Sequence, residues 1–545
     1  MNNDDIMPLK PIDPLAGPRY ALEGRIMTMD SSETVLDRGV VYVDAGRIMG
    51  VQPEKASPPP GFENISIIKT RGTIYPGLIE LHNHLSYNIL KLWDVPKSYT
   101  NRDQWSGTPT YQKLISGPMK VLSQTPGYLP AIVRYVECKC LLSGVTTSQG
   151  IALYSNQGIV RYCRGIVRNV EQTDDADLPE ADSRIADVDA ADADRFFSRL
   201  QRSTCQLLHL SEGTDEKAHQ HFEALNLSDG SWAVTPALTG IHCVALRPDD
   251  YKILSKNGGS MVWSPLSNLL LYGKTADIRE AKDNGILIGI GSDWSSSGSK
   301  NLLCELKIAR IVSASQGGVF TDRELVAMAT RNAAKILKWD NVLGSIEAGK
   351  RADLLVISGR SRDPYAALLD ARETSIILVV INGIPRYGRV SLMGHFGQGT
   401  EELKVGSSIR MLNLKQETAD PAAGALNLKE ARSRLRDGLK KIPELALNLE
   451  QPAPREVRAA AAEPQWFLLL ENEEPEGTAL RPHLPLKGME TARVAVQALA
   501  APLSEVLIPL DLDPLTISDD KTFLDRLAGQ LNLPEYVKNS LSDMY

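Results

Sequence analysis

The residues from 73 to 87, TIYPGLIELHNHLSY, combine an apolar run with two histidines placed two residues apart. Apolar residues such as Leu78 and Leu81 precede His82 and His84, which predicts a buried strand that ends at the histidines. Strand side chains alternate between the two faces, so both imidazoles point the same way. Two neutral imidazoles on one face form half of a site for zinc or iron.

The bulk composition is that of an ordinary soluble protein. The chain has 545 residues, 43% of them hydrophobic, and a formal net charge of −7, which suits one large domain with one or two smaller ones. An acidic chain without a basic block is expected to bind neither nucleic acid nor an anionic membrane. The first residues lack the apolar core of a signal peptide and no later segment reaches membrane-spanning length, so we expect a cytoplasmic protein. The six cysteines include no CxxC pair and predict no disulfide framework.

The middle of the chain alternates apolar strands with amphipathic helices, which is typical of a parallel α/β architecture. The predicted strands cover residues 78–84, 144–149, 165–171, 183–188, 205–210, 238–243, 260–264 and 286–293. Eight such strands predict a (β/α)8 TIM-like barrel, whose chemistry lies at the C-terminal strand ends. Only an acidic loop fits between the third and fourth strands, so we expect the third helix to be reduced or missing.

Short strands with turn residues flank this middle on both sides, which predicts one small composite β-sandwich built from both flanks. The predicted division is an N-terminal tail at 1–18, sandwich segments at 19–72 and 345–392, a metal-dependent barrel at 73–344, and a C-terminal extension at 393–545 with a linker near 451–465. The extension has apolar helical patterning without candidate ligands. We interpret it as a packing element or an oligomer contact, with a substrate lid as the alternative.

Four further residues with metal-binding or acid–base side chains follow predicted strands. His209 ends the fifth strand, Glu212 lies three residues later, His242 ends the sixth strand and Asp293 ends the eighth. Each alone would be typical of a hydrogen-bonding or turn residue. Because the C-terminal ends of barrel strands meet at one face, we expect these side chains to converge.

These motifs together resemble the amidohydrolase superfamily, in particular its cytosine deaminase, guanine deaminase and atrazine chlorohydrolase group. The matching stretches, which together span about residues 19–390, are PGLIELHNH (76–84), GVTTS (144–148), LLHLSEG (207–213), GIHCVAL (240–246), WSPLSNLLL (263–271), GIGSDW (289–294) and GSIEAGKRADLLVI (344–357).

The resemblance implies a metal bound by His82, His84, His209 and Asp293, with His242 beside the reacting water and Glu212 as the proton shuttle. The residue types suit these roles, because three neutral nitrogens and one carboxylate leave a position open for water, whose pKa a divalent metal lowers to about 7. Asp293 can accept the proton of this water and His242 can stabilise the developing oxyanion. Glu212 can protonate the departing or ring nitrogen.

The number of metal ions follows from an absent lysine. In binuclear members of the superfamily, a carbamylated lysine on the fourth strand bridges two metals, as the resemblance implies. This chain has no lysine between Cys140 and Glu216. We therefore expect one divalent ion, and zinc rather than iron.

Candidate substrate contacts come from aromatic and polar residues near the predicted strand ends. The loop after the first strand contains Trp93 and Trp105, and Trp294 follows the eighth strand. An aromatic loop packed over the barrel as a lid is the alternative interpretation of the first two. Gln149 and Glu171, near the ends of the second and third strands, are candidate polar contacts.

We therefore expect an amidohydrolase-type enzyme that hydrolyses a non-peptide carbon–nitrogen bond in a small molecule. Deamination of a heterocycle is the leading hypothesis. Ring opening of a cyclic amide, as in imidazolonepropionase, is the close alternative, and the two differ in whether ammonia is released. An alternative of another class is a catalytically silent barrel that serves as a binding or assembly protein. A homo-oligomer is compatible with each of these hypotheses.

Overall fold

The computed structural model describes residues 17–359, 361–397, 399–416, 420, 422, 424–451, 464–470 and 502–545. The predicted N-terminal tail and the predicted linker lie almost entirely outside these residues. Within them the α-helices, numbered in chain order, are α1 (Pro109–Tyr111), α2 (Gly117–Gln124), α3 (Tyr128–Leu142), α4 (Ala193–Leu200), α5 (Glu216–Glu223), α6 (Pro248–Lys256), α7 (Pro265–Tyr272), α8 (Ile278–Asp283), α9 (Leu302–Ser315), α10 (Asp322–Met328), α11 (Arg331–Ile336), α12 (Pro364–Leu369), α13 (Val390–Met393), α14 (Leu428–Lys440), α15 (Ile442–Glu450), α16 (Leu503–Val506), α17 (Phe523–Ala528) and α18 (Glu535–Asp543).

Strands from both flanks of the chain form one nine-stranded sheet. Its members, numbered in chain order among all strands, are β1 (Tyr20–Met27), β2 (Val35–Asp44), β3 (Arg47–Pro53), β4 (Ile67–Pro76), β15 (Leu354–Ser358), β16 (Ile376–Ile381), β17 (Ile384–Arg389), β18 (Glu401–Val405) and β19 (Ser408–Leu412). The strand order is β18-β19-β17-β16-β15-β4-β1-β2-β3. The two flanks meet where β4 pairs antiparallel with β15, with Tyr75 opposite Leu355. The sheet continues past residue 392, where the predicted sandwich ends.

All eight strands predicted for the middle of the chain are present, most of them shorter than expected. They are β5 (Leu78–Glu80), β6 (Val145–Ser148), β9 (Arg168–Asn169), β10 (Ala181–Arg184), β11 (Cys205–Leu210), β12 (Leu238–His242), β13 (Ser260–Trp263) and β14 (Leu287–Ile290). They pair in parallel as two sheets, β5-β6-β9 and β10-β11-β12-β13-β14. No helix separates β9 from β10, as expected from the acidic sequence there.

Backbone hydrogen bonds connect these two parallel sheets at both edges. The amide of Ala181 donates to the carbonyl of Val170 at 2.9 Å, and the amide of Leu81 donates to the carbonyl of Ile290 at 3.3 Å. The first strand therefore lies beside the last, and the C-terminal ends of the eight strands open at a common face. Parallel strands with helices between them leave that face to the loops that follow each strand.

The C-terminal extension packs against the loops at this face. Strand β20 (Trp466–Leu468) pairs antiparallel with β7 (Ala152–Ser155), which forms a hairpin with β8 (Val160–Tyr162). The amide of Asp513 donates to the carbonyl of Ile89, in the loop after β5, at 2.9 Å. The extension is thus part of the packing around the site. In the described part of the chain, each helix is too short or too polar to cross a membrane.

Candidate metal and catalytic site

The four predicted metal ligands converge at the C-terminal ends of the parallel strands. His82 and His84 follow β5, His209 lies in β11 and Asp293 follows β14. Oδ1 of Asp293 lies 3.2 Å from Nε2 of His82 and 3.1 Å from Nε2 of His84. The rings of His82 and His209 are 4.7 Å apart, and ligand atoms of the three histidines lie within 4.8 Å of one another. The strand ends thus bring together the four side chains that the sequence assigned to a metal.

Two residues of the site have a left-handed backbone, which is uncommon for residues other than glycine. The φ angle is 70° at His242 and 64° at Asp293. The amide of Asp293 donates to the carbonyl of His82 at 3.0 Å, and its carbonyl accepts from the amide of His84 at 2.6 Å. These bonds fix the strained conformation, which is a feature typical of functional sites. In this backbone conformation the Asp293 carboxylate points toward His82 and His84.

A chain of hydrogen bonds behind His82 determines which ring nitrogen carries its hydrogen. The Glu171 carboxylate accepts from the Ser183 hydroxyl at 2.8 Å, and the Ser183 oxygen accepts from Nε2 of Gln149 at 2.9 Å. Oε1 of Gln149 then accepts from Nδ1 of His82 at 3.0 Å. A carboxylate accepts but does not donate, so the chain has one direction. It leaves the Nε2 lone pair of His82 free for a metal, which is the usual arrangement for metal-binding histidines.

The ring of His209 is oriented in the same way, and two other donor atoms of the site have no hydrogen-bond partner among the described residues. Nδ1 of His209 lies 3.3 Å from the backbone carbonyl of Arg184, an acceptor, so its Nε2 is also left as a lone pair. Nε2 of His82 and Oδ1 of Asp293 are buried, and among the described residues neither has a hydrogen-bond partner. Buried polar atoms rarely remain unpaired unless they serve a ligand. The donor set fits a divalent metal ion.

Electrostatics favour the protonation states that a metal site requires. Burial, together with the neighbouring imidazoles, holds the pKa of His209 well below its ordinary value. Burial would raise the pKa of Asp293, but the imidazoles of His82 and His84 outweigh it and hold that pKa well below its ordinary value. The site therefore offers a neutral imidazole and an ionised carboxylate, which are the forms that bind metal.

Glu212 is not one of the four predicted ligands, but its carboxylate lies beside His209 and His242 and lines the open cavity. One carboxylate oxygen accepts a hydrogen bond of 2.7 Å from the Tyr272 hydroxyl, which itself accepts from the Trp105 indole at 3.0 Å. The other oxygen lies 3.8 Å from Nε2 of His242 and 3.9 Å from the Arg102 guanidinium. Burial lowers the pKa of His242 to about 4, so this imidazole is neutral near pH 7. A carboxylate and a neutral imidazole thus face each other beside the ligands.

A cavity of about 280 Å³ opens above these groups. Trp105 and Trp294, two of the predicted substrate contacts, line it together with Tyr87, Tyr111 and Arg102. The ring of Trp294 meets His84 edge-on, with 5.4 Å between the ring centroids. The cavity therefore has an aromatic wall beside the metal ligands.

The other three predicted substrate contacts lie elsewhere. Trp93 is 2% exposed, stacks on Tyr99 and does not line this cavity. Gln149 and Glu171 line a second cavity of about 170 Å³ that shares His84 and His209 with the first. Trp93 therefore packs within the aromatic loop, and of the two loop tryptophans only Trp105 lines the cavity. Gln149 and Glu171 belong to the hydrogen-bond chain that ends at Nδ1 of His82.

Sequence reasoning did not identify Tyr272 and Asn268 as parts of the site. Both lie on α7, where Asn268 contacts His242 and Tyr272 contacts Glu212. The sequence feature that could have identified them is the WSPLSNLLL stretch at 263–271, which contains Asn268 and ends one residue before Tyr272. It was part of the family resemblance, but no role was assigned to its residues. Positions 268 and 272 are four residues apart, and residues with this spacing share a helix face.

Comparisons with known proteins give one family match and several similar proteins. The model of the amidohydrolase family matches residues 209–385. A 5-methylthioadenosine/S-adenosylhomocysteine deaminase of Symbiobacterium thermophilum is 26% identical over 422 residues, which cover 67% of this chain and 92% of the relative.

Two solved structures share the fold. An adenosine deaminase of Xanthomonas campestris with bound zinc aligns with a TM-score of 0.56 and 17% identity, covering 78% of this chain and 98% of that chain. An atrazine chlorohydrolase of Arthrobacter aurescens, solved with zinc and atraton, aligns with a TM-score of 0.52 and 20% identity, covering 67% of this chain and 94% of that chain. These structural neighbours imply a TIM-barrel fold for the α/β middle of the chain. Together, the family match and the deaminase relative support a metal-dependent hydrolase that resembles the amidohydrolases.

Proposed function

We propose that this protein is an aminohydrolase, which hydrolyses the bond between a ring carbon and an amino group in a heterocyclic small molecule. The observation that carries the proposal is the position of Glu212, which is not one of the four predicted ligands and lies between Tyr272 and His242. A carboxyl group held there can take up a proton and deliver it to a nitrogen while the ligands next to it remain in place. Deamination needs such a donor because the amino group leaves as ammonia.

The residues proposed to hold one divalent ion, zinc rather than iron, are His82, His84, His209 and Asp293. The hydrogen-bond acceptors behind His82 and His209 support this assignment. A bound divalent ion would lower the pKa of water at the site and polarise the attacked carbon. Among the described residues, no lysine lines the cavity above these ligands, which supports a single ion.

The proton transfers and the stabilisation of charge are assigned to side chains of this protein. Asp293, ionised within the site, accepts the proton of the attacking water. His242 donates a hydrogen bond to the negative charge that develops as the ring carbon becomes tetrahedral. Glu212 begins protonated and transfers this proton to the ring nitrogen. It then takes up the second proton of the attacking water and passes it to the departing amino group, which leaves as ammonia, and the proton held by Asp293 returns Glu212 to its starting form. Trp105 and Trp294 line the cavity and provide an aromatic surface beside the reacting groups.

The substrate class follows from the shape of the cavity and from the relatives. An aromatic wall beside the metal ligands suits a flat heterocycle, and the adjoining second cavity leaves space for a ring substituent. Relatives are named as deaminases of 5-methylthioadenosine, S-adenosylhomocysteine and adenosine. We therefore propose an amino-substituted purine or related heterocycle as the substrate.

The test is a screen of the zinc-loaded protein with aminopurines, their 5′-substituted nucleosides, aminopyrimidines, triazines and cyclic amides. Ammonia release is the expected signal. A new carboxylate without ammonia would instead establish cyclic amide hydrolysis. Binding of one of these compounds without turnover would favour the non-catalytic alternative.

We also propose the domain division given by the sequence, with an N-terminal tail at 1–18, a composite β-sandwich at 19–72 and 345–392, a metal-dependent barrel at 73–344, and a C-terminal extension at 393–545 with a linker near 451–465. The hydrogen bond between Asp513 and Ile89 supports a packing role for the extension.

A further inference from the structure

The motif WSPLSN contains two of the three residues that lie behind His242, Trp263 and Asn268, and Thr275 is the third. Nδ2 of Asn268 lies 2.9 Å from Nδ1 of His242. Oδ1 of the same amide accepts from the Thr275 hydroxyl at 3.2 Å, and the Thr275 oxygen accepts from the Trp263 indole at 2.7 Å. Asn268 and Trp263 are fully buried. These three residues, Trp263, Thr275 and Asn268, form the hydrogen-bond chain that we call the His242 chain.

The His242 chain runs in one direction, since Trp263 can only donate and the structure places the amide oxygen of Asn268 toward the Thr275 hydroxyl. An indole N–H has no lone pair to offer, so it occupies a lone pair of the Thr275 oxygen. The hydroxyl hydrogen of Thr275 is then available for Oδ1 of Asn268. With its oxygen turned toward Thr275, the Asn268 amide presents Nδ2, a donor, to His242. Nδ1 of His242 must therefore accept, and in the neutral ring the hydrogen lies on Nε2.

This arrangement is the opposite of the one behind the metal ligands. His82 and His209 face oxygen acceptors with Nδ1, so their Nε2 atoms are lone pairs. By distance alone His242 is also a candidate ligand, since its ring nitrogen, one of His82 and an oxygen of Asp293 lie within 4.8 Å of one another. An Nε2 that carries hydrogen cannot bind a metal, but it can donate to a developing negative charge.

We propose that Asn268, oriented by Thr275 and Trp263, is a positioning residue that keeps the ring hydrogen of His242 on Nε2. His242 is thereby held as a hydrogen-bond donor to the reacting molecule and is excluded from the metal ligands. Asn268 acts through His242, since it does not line the cavity. The kinetic consequence of this inference rests on the proposed function, whereas the position of the hydrogen does not.

The primary test is nuclear magnetic resonance of the zinc-loaded protein with isotope-labelled histidine. Long-range proton–nitrogen correlations identify the protonated ring nitrogen, and the signals of His242 are assigned by their loss in His242→Gln. We expect hydrogen on Nε2 of His242 and lone pairs on Nε2 of His82 and His209. A hydrogen on Nδ1 of His242 in the wild-type protein overturns the proposal without any variant or substrate.

A matched pair of variants tests the direction of the chain. Thr275 is only partly buried, so a polar replacement can be accommodated. Thr275→Asp offers acceptors alone, which turns the Asn268 amide around and moves the His242 hydrogen to Nδ1. Thr275→Asn has nearly the same shape but retains a donor, so His242 keeps its hydrogen on Nε2. Identical His242 signals in the two variants would overturn the role of the chain.

A third variant covers the case in which Thr275→Asp does not fold. Thr275→Val removes the hydroxyl without adding charge, so the Asn268 amide is no longer oriented and signals of both ring forms of His242 are expected. A spectrum with hydrogen only on Nε2 would contradict the role of Thr275.

Kinetics with a substrate from the screen then add an independent readout. Loss of one donor to a developing oxyanion lowers kcat by about 10²–10³-fold, which is the effect expected of Thr275→Asp with KM and zinc content little changed. Thr275→Asn should remain close to wild type. If the His242 signals change but the wild type has no deaminase activity, the proposed function is rejected. The position of the ring hydrogen on Nε2 of His242 is then still supported. Equal kcat in the two variants, despite different ring forms, would overturn the catalytic part of the inference.

Discussion

The hydroxyl of Tyr272 donates to a carboxylate oxygen of Glu212 at 2.7 Å, across 60 positions of sequence. Burial and the adjacent Glu212 charge raise the pKa of Tyr272 well above its ordinary value, so the hydroxyl remains a donor throughout the working pH range. The Trp105 indole donates to the same hydroxyl oxygen and directs its hydrogen toward Glu212. Glu212 is therefore oriented by a helix that contributes no metal ligand.

Replacing Tyr272 with Phe should slow the chemical step. A hydrogen bond to a charged group contributes about 1.5–3 kcal/mol, which corresponds to a loss of about 10- to 100-fold in kcat. Metal content should be unchanged, because Tyr272 contacts no ligand. Trp105→Phe, which keeps a ring in the cavity wall but loses the donor, should give a smaller loss. Unchanged single-turnover rates in both variants would show that Glu212 needs no orientation.

Glu212→Gln should retain zinc and substrate binding while lowering the chemical step by about 10²–10⁴-fold, since the amide cannot transfer a proton. Single-turnover rates, bound metal and melting temperature are measured together. A purely structural Glu212 would instead cost about 1–3 kcal/mol of stability, with activity falling only as folded protein is lost. An unchanged rate per folded, metal-loaded molecule would remove Glu212 from the mechanism.

Elemental analysis after dialysis should find about one divalent ion per chain, as expected for a site with one set of ligands. Chelation should abolish turnover, and added zinc should restore it. His82→Ala and His209→Ala should each lower the zinc content strongly, because each removes one of the inward-facing nitrogens. Two ions per chain would contradict the mononuclear assignment.

The extension should contribute to stability through Asp513. Its carboxylate lies 2.7 Å from Nζ of Lys139 and 2.6 Å from Nζ of Lys300, and all three side chains are buried. Asp513→Asn leaves a buried ammonium without its partner, which costs about 3–5 kcal/mol. Asp511→Asn is the control, because the pairs of Asp511 with Lys91 and Lys440 are exposed and contribute about 0–1 kcal/mol. Equal unfolding free energies of the two variants in urea would refute this role.

Stability in acid should depend on Asp520. Burial would raise the pKa of Asp520, but the ammonium of Lys300 at 2.7 Å outweighs it and holds that pKa below its ordinary value. A carboxyl whose folded pKa is depressed stabilises the protein fully above its unfolded pKa of about 4 and loses that contribution as the pH falls through the folded value.

The measurement for Asp520 is the free energy of unfolding as a function of pH. Asp520→Asn should be less stable than wild type near neutral pH, and the difference should shrink in acid. The exposed Asp525 supplies the control, since Asp525→Asn should parallel the wild-type curve. A constant difference at all pH values would show that the ion pair with Lys300 does not contribute.

The sequence by itself determined where the site forms. Side-chain alternation predicted the common direction of His82 and His84, although the strand itself ends at Glu80. Apolar runs placed His209 and Asp293 at strand ends, which meet in a parallel barrel. These are local patterns with a period of two residues, so they can be read without knowing what packs against them. The family resemblance and the metal-dependent hydrolase followed from the same residues.

The tertiary structure decided what lies behind those residues. Gln149 and Glu171 orient His82, Trp93 packs within its own loop, and Asn268 and Tyr272 reach the site from α7. Hydrogen bonds between side chains far apart in sequence depend on how helices and loops are set on the barrel, and no local periodicity records that placement. The direction of each hydrogen-bond chain, and with it the division between metal ligands and donors, therefore became visible only in three dimensions.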